Sequence, residues 1–462
     1  MRPPNGNPPP DHLPSETGDS ETGDWPSHSE IEPQETRNLL LLASHQILLR
    51  LGWIFKTESV IMPAFLDTVA GAGWIRGCMP VLNRFGQSVP PVFCAARLSA
   101  LSHKKRALAL FTSLMSGPFA VLAVVLLAIG GERRSWMPAL FLALYFAFFI
   151  FNGLYHISFG IVQGKLIRPT RRGHLLLLST FWGSIPAMGC AWWLMPGWLE
   201  TPSTGFACLF GFVAVCFFLS GLSAMLLFEP PDIPDEPSQP DRPDQPTVRS
   251  RGSIVETWRT LRGDANLRCL VMVAILSGSG LIIFPHYQAL ARERLGLSGG
   301  HLMLWVVTQN AAVGIFSLVV GPLADRRGYR LTLRLLIFSS ALAPALAIMF
   351  SHLPNGGSLF WIVFVCLGIM PLVLRMVINY TLEICPQADH PRYLSTVSLC
   401  LAAPFLFSPL VGWLVDVTSF DLVFLTTIGL TMLGGLMTFR LEEPRHHVKP
   451  PPPGTIGMGA DE

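Results

Sequence analysis

The sequence predicts an all-α integral membrane protein in which twelve transmembrane helices form two pseudo-symmetric bundles of six. Three observations carry this prediction: the scarcity of charge, the number of long apolar segments, and a repeat that relates the two halves of the chain. Of the 462 residues, 50% are hydrophobic and only 14% are charged, whereas soluble domains average about 25% charged residues. This composition favours a chain whose surface mostly faces lipid.

Charged and proline-rich residues are concentrated at the two ends and in the middle of the chain. Residues 1–38 contain a short SETGD duplication and few large apolar residues, so we expect a disordered tail without the basic-then-apolar pattern of a secretory signal. Residues 442–462 predict a second disordered tail, and residues 229–265 a polar central loop. The remainder divides into an N-terminal six-helix bundle (39–228) and a C-terminal six-helix bundle (266–441).

Each bundle contains six apolar segments that are long enough to cross about 30 Å of hydrocarbon. The third segment, for example, contains no charged residue. The predicted spans are 45–69, 77–98, 107–129, 137–163, 174–197, 205–228, 267–290, 301–323, 332–352, 359–383, 395–417 and 422–440.

The distribution of lysine and arginine predicts which side of the membrane each loop faces. With both termini in the cytosol, the tails and inner loops contain 24 of these residues, and the outer loops contain five, namely Arg76, Arg133, Arg134, Arg292 and Arg294. Cytosolic loops of membrane proteins carry such an excess. We therefore expect cytosolic termini, in a plasma membrane or a bacterial inner membrane.

The two halves of the chain repeat each other. VIMPAFLDTVAG (60–71) resembles IIFPHYQALARE (282–293), and their prolines lie 222 residues apart. ARLSALSHKKRAL (96–108) aligns with GPLADRRGYRLTL (321–333) at a similar offset. Self-similarity at a fixed offset indicates a repeated structural unit, here a duplicated unit of six helices.

The most specific motif is GPLADRRGYR, in the predicted turn between the eighth and ninth spans. Gly321 would let neighbouring helices approach closely, and Gly328 would supply a tight turn. Asp325 could accept hydrogen bonds from a helix N-terminus, while Arg326 and Arg330 would stay on the cytosolic side. The pattern G-x-L-x-D-R-x-G-x-R resembles the loop signature of the major facilitator superfamily, the twelve-helix secondary transporters.

This resemblance covers about residues 40–445 and implies that the loop is a conformational latch on the cytosolic face. The implied latch residues are Gly321, Asp325, Arg326, Gly328 and Arg330. The copy in the first half departs from the pattern, because Ala100 replaces the aspartate. The fourth span also lacks the arginine of many proton-coupled members, and both departures count against proton antiport.

Ionisable residues inside the predicted spans are the main candidates for a binding site, because each costs at least ~2.5–3.5 kcal/mol to place near the bilayer centre. Lys56 and Glu58 lie in the first span, two residues apart. On a continuous helix they would point about 200° apart, so we expect that they do not pair with each other. Arg50, Arg84 and Arg375 complete a set of four cations and one anion. This excess predicts a cavity for an organic anion, although Arg50 and Arg375 could snorkel to the headgroups and a structural ion-pair network remains an alternative.

Other polar residues extend the candidate site, although helix-packing hydrogen bonds would explain each of them equally well. Three histidines, His45, His156 and His286, could also carry coupling protons. The full set of predicted substrate-binding residues is Lys56, Glu58, Asn83, Arg84, Gln87, Asn152, Tyr155, His156, His286, Gln309, Asn310 and Arg375.

These features predict a secondary transporter that moves a small polar or anionic solute by alternating access, with its site at the midplane between the halves. The alternatives are an exporter or flippase of amphipathic or lipid molecules, which the aromatic-rich fourth span would suit, and a non-transporting sensor or scaffold on the same fold. We find no nucleophile–base pairing, metal-ligand spacing or phosphate-binding glycine loop, so we predict no enzymatic activity, metal or cofactor. The expected partners are a small-molecule substrate, the lipid bilayer and a coupling proton or ion. We expect a monomer that binds no nucleic acid.

Overall fold

The computed structural model describes residues 34–99, 101, 103–130, 132, 134–201, 204–230, 254–297, 299–386 and 389–443. Residues 1–33 and 444–462 of the expected tails lie outside the described residues, as do residues 231–253 of the expected central loop. Within the described ranges the chain is helical and contains no strand.

The described residues form nineteen α-helices, most of them joined by short turns. In chain order they are α1 (Glu35–Phe55), α2 (Ile61–Val69), α3 (Gly73–Ser99), α4 (Lys104–Ile129), α5 (Met137–Leu166), α6 (Pro169–Leu199), α7 (Gly205–Met225), α8 (Ile254–Gly263), α9 (Ala265–Ile282), α10 (His286–Leu295), α11 (Gly300–Arg327), α12 (Tyr329–Ser340), α13 (Leu342–His352), α14 (Gly356–Leu359), α15 (Trp361–Leu367), α16 (Met370–Glu383), α17 (His390–Ala402), α18 (Ser408–Val417) and α19 (Phe420–Met437).

Eleven helical segments of the described chain are long and apolar enough to cross a membrane. The remaining predicted span, α3, has 27 residues and is therefore long enough to cross, but Arg76, Arg84 and Arg97 make it more polar. Counting α3, the structure agrees with the predicted all-α architecture of twelve transmembrane helices.

The first span begins at Glu35, earlier than the apolar run suggested. Hydropathy does not identify this first turn as part of the span, because the turn is polar; its polar side chains make hydrogen bonds inside the protein. The buried Asn38 side chain donates to the Phe228 carbonyl and accepts from the Phe228 N–H, both at 2.9 Å. The Glu35 carboxylate accepts from the Arg168 N–H at 3.0 Å. These hydrogen bonds attach the polar start of α1 to the segment that follows α7 and to the start of α6.

The first span is interrupted between α1 and α2. Pro63 lacks an N–H group, and its ring would clash with the Ser59 carbonyl if the helix were continuous. Thr57 holds the new helix start instead, because its side-chain oxygen accepts from the Ile61 N–H at 3.3 Å and its carbonyl from the Met62 N–H at 3.0 Å. Residues 56–60 therefore lie outside regular α-helix.

The seventh span is interrupted at the equivalent place of the repeat. Helix α9 ends at Ile282, and α10 begins immediately after Pro285. Both interruptions thus follow from the two prolines that the sequence repeat aligns. Discontinuous membrane helices in secondary transporters typically lie beside the substrate site.

Part of the expected polar central loop is also helical. Helix α8 precedes the seventh span, and Asp264 caps α9 by accepting from the Leu267 N–H at 3.0 Å. Arg392 donates to Thr260 at 2.7 Å, and Tyr393 donates to Asp264 at 2.9 Å. These bonds attach α8 to the start of α17.

The spans alternate in direction, so the bundle has two ends. We call the end that holds the start of α1 and the end of α19 the termini end, and the opposite end the far end. The two halves meet along α3 and α18, and along α6 and α11. A β-carbon added at Gly77 would collide with the Ser408 carbonyl, so α3 and α18 are in backbone contact near the far end.

Candidate functional site

A cavity of about 330 Å³ lies between the two halves, beside the interruptions of the first and seventh spans. We call it the central cavity. Its volume falls in the range of small-molecule sites, about 300–1,000 Å³. Four of the predicted site residues contribute to its wall, namely Glu58, Asn83, Arg84 and Gln87. The apolar part of the wall includes Trp53, Met79, Tyr145, Phe284, Pro285, Pro371 and Phe405.

Lys56 and Glu58 form an ion pair, which corrects the expectation that they point apart. The Lys56 Nζ lies 3.0 Å from a Glu58 carboxylate oxygen. The two side chains converge because the helix ends at Phe55, so the 100° rotation per residue of an α-helix does not apply between them. Glu58 reaches the central cavity, whereas Lys56 is fully buried. Lys56 therefore lies behind the cavity wall and not in it.

The Lys56 ammonium is surrounded by aromatic rings. It lies 3.5 Å from the ring centroid of Trp53, 4.3 Å from that of Phe148 and 4.7 Å from that of Phe149. Cations over aromatic faces are attracted by the ring quadrupole, most strongly by tryptophan. The rings and Glu58 together replace the water that this ammonium has lost.

A chain of hydrogen bonds continues from Glu58 along α3. The Asn83 amide donates to the second Glu58 carboxylate oxygen, and the Gln87 amide donates to the Asn83 side-chain oxygen at 2.7 Å. Asn83 and Gln87 are one helical turn apart, so both amides face the central cavity. Glu58, Asn83 and Gln87 thus form one connected network in the cavity wall.

Arg84 stands apart from this network. Its guanidinium lies over the Phe405 ring, 4.8 Å from the centroid. Within the described part of the chain we find no hydrogen bond and no ion pair for this side chain. The guanidinium therefore has its donors available to whatever occupies the central cavity.

A second cavity, of about 270 Å³, also contacts Trp53 and lies closer to the termini end of α1. We call it the arginine cavity, because Arg50 of the first half and Arg375 of the second both line it. Asn310 lines it too, although its amide donates to the Val306 carbonyl at 2.8 Å. Two predicted site residues, Arg375 and Asn310, therefore face this cavity and not the central one.

The other predicted site residues lie in the walls of neither cavity. Tyr155 is buried and accepts from the Gln46 amide at 2.6 Å. The buried His286 and Asn152 side chains have no hydrogen-bond partner among the described residues. Gln309 accepts from the Ser59 hydroxyl at 2.5 Å and so joins the two halves. The His156 side chain is exposed beside Tyr155.

The predicted latch turn between α11 and α12 is tight, as Gly328 has a positive φ of 87°, which glycine adopts without strain. The Arg330 guanidinium donates to the Phe439 carbonyl at 2.9 Å. The close helix approach expected at Gly321 is not found, because an added β-carbon would meet no atom within 4 Å. Asp325 and Arg326 are exposed in the last turn of α11. The latch role of the five residues stays a prediction.

Sequence reasoning missed the aromatic walls and one inter-half network. The Asp67 carboxylate lies 2.5 Å from a nitrogen of the buried Arg76 and 3.3 Å from one of Arg292, and Arg76 also lies 3.5 Å from Glu293. This network joins the halves at the far end. The only sequence signal was a cluster of charge beside the aligned prolines, in VIMPAFLDTVAG and IIFPHYQALARE. The sequence placed Arg76 in an outer loop, so its burial was not predicted.

Comparison with known proteins places this geometry in a family. A sequence profile described as Major Facilitator Superfamily matches residues 53–400 and 282–457, whereas no curated protein sequence matches the chain. Among solved structures, a point mutant of the nucleoside transporter NupG superposes with a TM-score of 0.65 at 13% identity, over 88% of this chain and 100% of that one. A D-xylose-proton symporter gives 0.64 at 12% identity, over 88% and 98%. A bacterial homologue of the human lysosomal transporter Spinster gives 0.59 at 12%, over 90% and 98%.

At these identities the structural neighbours show the fold alone, and the profile, which spans most of the chain, shows the family. The cavities between the halves and the paired span interruptions are features of the same architecture. The chain is a multi-pass membrane protein that belongs to the major facilitator superfamily of secondary transporters.

Proposed function

We propose that this transporter moves a small polar, anionic solute by alternating access, and that the solute binds in the central cavity. The single observation that carries the proposal is Arg84, whose guanidinium borders a cavity between the halves and makes no hydrogen bond or ion pair among the described residues. Unpaired charges at membrane depth are costly and typically mark a substrate pathway. An anionic group on the solute would supply the missing partner.

The charge balance of the central cavity supports an anion over a cation. Lys56 and Glu58 neutralise each other at 3.0 Å, so Arg84 leaves the cavity with one net positive charge. A cationic solute would have to compete with Lys56 for Glu58, and would meet Arg84 as a like charge. A neutral polar solute could use Asn83 and Gln87 but would leave the guanidinium unpaired.

The shape of the cavity supports a small solute with a planar or apolar part. Its walls combine the polar network on α3 with the rings of Trp53, Tyr145 and Phe405. Solute sites of this kind use a few polar groups for orientation and aromatic walls for most of the contact.

The alternative of an amphipath exporter or flippase rested on the aromatic residues of the fourth span. Phe141, Phe148 and Phe149 are fully buried, and Phe148 stacks on Phe217 with centroids 5.7 Å apart. These rings fill the core of the first half, and Phe148 and Phe149 also surround Lys56, so they offer no apolar track for a lipid chain. The alternative of a static scaffold is disfavoured by the two cavities that lie between the halves.

The direction of the chain in the membrane belongs to the same proposal. The excess of lysine and arginine in the loops of the termini end supports a cytosolic location for that end. The far end, which is closed by the Asp67–Arg76 network, would then face outward. The described conformation would accordingly be accessible from the cytosol.

We would test the proposal by thermal unfolding of the detergent-purified full chain with a panel of organic anions, organic cations, sugars, nucleosides and amphipaths. A ligand at a hundred times its dissociation constant should stabilise the native state by about 2.7 kcal/mol. We expect an anion to raise the melting temperature, and Arg84→Gln to remove this effect. Arg334→Gln is the matched control, since Arg334 lies over Phe439 at the termini end, outside both cavities.

Two results would count against the proposal. One is stabilisation by sugars, cations or amphipaths while all anions fail. The other is stabilisation by an anion that is unaffected by Arg84→Gln, which would move the site out of the central cavity.

A further inference from the structure

The arginine cavity carries an uncompensated charge of its own. Arg50 belongs to α1 and Arg375 to α16, so the two guanidiniums come from opposite halves and repel each other. No carboxylate is among the residues that the structure describes around this cavity. The polar groups that do line it include Gln46, Ser179 and Thr180.

Neither guanidinium is satisfied by the residues that the structure describes. Among the described residues Arg50 donates only to the Thr180 carbonyl, at 3.5 Å, which is the long limit of a hydrogen bond. For Arg375 we find no hydrogen bond and no ion pair within the described part of the chain. A planar guanidinium offers five donors in a geometry that fits carboxylate or phosphate oxygens. Two such groups facing one cavity form an incomplete anion site.

The arginine cavity and the central cavity share one wall, the side chain of Trp53. Counting Lys56 and Glu58 as a neutral pair, the two cavities together present three guanidiniums and no unpaired carboxylate among their described lining residues. One small monoanion at Arg84 would leave Arg50 and Arg375 uncompensated. A solute with a second acidic group could reach them past Trp53.

We propose that the arginine cavity is a second anion subsite, and that the solute is an organic dianion whose acidic groups are separated by a ring or a short apolar spacer. One acidic group binds Arg84, the spacer lies against Trp53, and the other acidic group binds between Arg50 and Arg375. This proposal rests on the proposed function and names the substrate class of the same transporter. Because Arg50 and Arg375 belong to different halves, the second group also links the halves on the termini side of Trp53.

The experiment measures the binding of four probes to the full chain in lipid nanodiscs: benzoate as the monoanion, and phthalate, isophthalate and terephthalate as dianions of increasing spacing. We expect at least one dianion to bind about tenfold or more tightly than benzoate, since a charge-assisted bidentate pair is among the stronger polar interactions. Arg375→Gln should remove this advantage, so that the dianions and benzoate bind with similar affinity. Arg84→Gln should weaken benzoate itself, and Arg334→Gln should change neither.

The outcomes separate this proposal from the proposed function. If benzoate binds through Arg84 and no dianion binds more tightly, the second subsite is wrong and the anion transporter stands. If a dianion keeps its advantage in Arg375→Gln, the second acid binds elsewhere and the subsite is wrong. If no probe binds, or none depends on Arg84, the anion site in the central cavity fails as well.

The melting temperatures of the ligand-free variants distinguish a loss of binding from a failure to fold. Arg50→Gln and Arg375→Gln each remove one of two repelling charges, so the melting temperature of the ligand-free protein should stay level or rise. A clear fall for either variant would show that the arginines hold the structure together, and would overturn the subsite.

Discussion

Lys56 and Glu58 differ in exposure, and this difference determines how much the removal of each residue would destabilise the protein. The Lys56 side chain is 0% exposed and that of Glu58 is 24% exposed. Removing Glu58 would leave an ammonium buried among three rings, which is costly because it has lost its counter-ion. Removing Lys56 would leave a carboxylate that still accepts from Asn83 and still reaches the cavity.

We therefore expect Glu58→Gln to destabilise the protein by about 3 kcal/mol and Lys56→Met by only about 1 kcal/mol, since the loss of one partner of a buried pair is the larger penalty. The double variant should be closer to Lys56→Met than to the sum of the two, because the orphaned ammonium is then absent. Unfolding of the three variants in detergent checks both statements. A greater loss for Lys56→Met than for Glu58→Gln, or plain additivity, would contradict the asymmetry.

The same residues show what the sequence can predict about individual side chains and what it cannot. Intramembrane charge identified Glu58, Arg84 and Arg375 as candidates, because no apolar run tolerates such residues without a reason. Their partners could not be assigned, since helical periodicity places Lys56 and Glu58 on different faces and only the helix end at Phe55 brings them together. The position of Trp53 between the two cavities could not be predicted either, because a tryptophan in an apolar run has no distinguishing pattern.

At the scale of elements, hydropathy and the internal repeat predicted the twelve spans and the aligned prolines. They did not predict that two spans are interrupted, because a proline inside an apolar run fits a kink as well as a break. The contact between α3 and α18 was also unforeseen. It depends on glycines whose role becomes visible only when the opposite backbone is in place.

Two glycines allow a matched test of that contact. A β-carbon at Gly77 would collide with the Ser408 carbonyl and lie 2.8 Å from the Pro409 Cα, whereas one at Gly160 would meet nothing within 4 Å. We expect Gly77→Ala to destabilise the protein by about 1–3 kcal/mol through overpacking, and Gly160→Ala to be neutral or stabilising by up to about 1 kcal/mol through helix propensity. Melting temperatures measured side by side check the pair. Equal changes in melting temperature for the two variants would mean that α3 and α18 can move apart without loss of stability.

At the scale of the whole molecule, the structure holds its two halves together at the far end. The Asp416 carboxylate accepts from the Gly73 N–H at 2.8 Å and from the Trp74 N–H at 3.2 Å, and thus caps α3 from the other half. The Ser408 hydroxyl donates to the Gly77 carbonyl at 2.6 Å. In the proposed alternating access these contacts would break when the far end opens, so their strength would set the balance between the two states.

Glu229 offers a control for Asp416, because it makes similar bonds within one half. It accepts from the N–H groups of Lys104 and Lys105 at 2.9 and 2.8 Å and pairs with the Lys165 ammonium at 2.9 Å, all at the termini end. Both carboxylates therefore cap a helix and contribute to stability. Only Asp416 joins the halves.

We expect Asp416→Ala to increase hydrogen exchange of the backbone amides at residues 73–77 by about tenfold, because hydrogen bonds to a charged group contribute about 1.5–3 kcal/mol and part of this is regained from water. Glu229→Gln should lower the melting temperature but leave exchange at residues 73–77 unchanged, since it loosens a helix end and not the junction of the halves. Hydrogen-exchange mass spectrometry of both variants in detergent measures this difference. Faster exchange at these residues in both variants would point to general loosening, and unchanged exchange in Asp416→Ala would mean that the far end is held by the Asp67–Arg76 network instead.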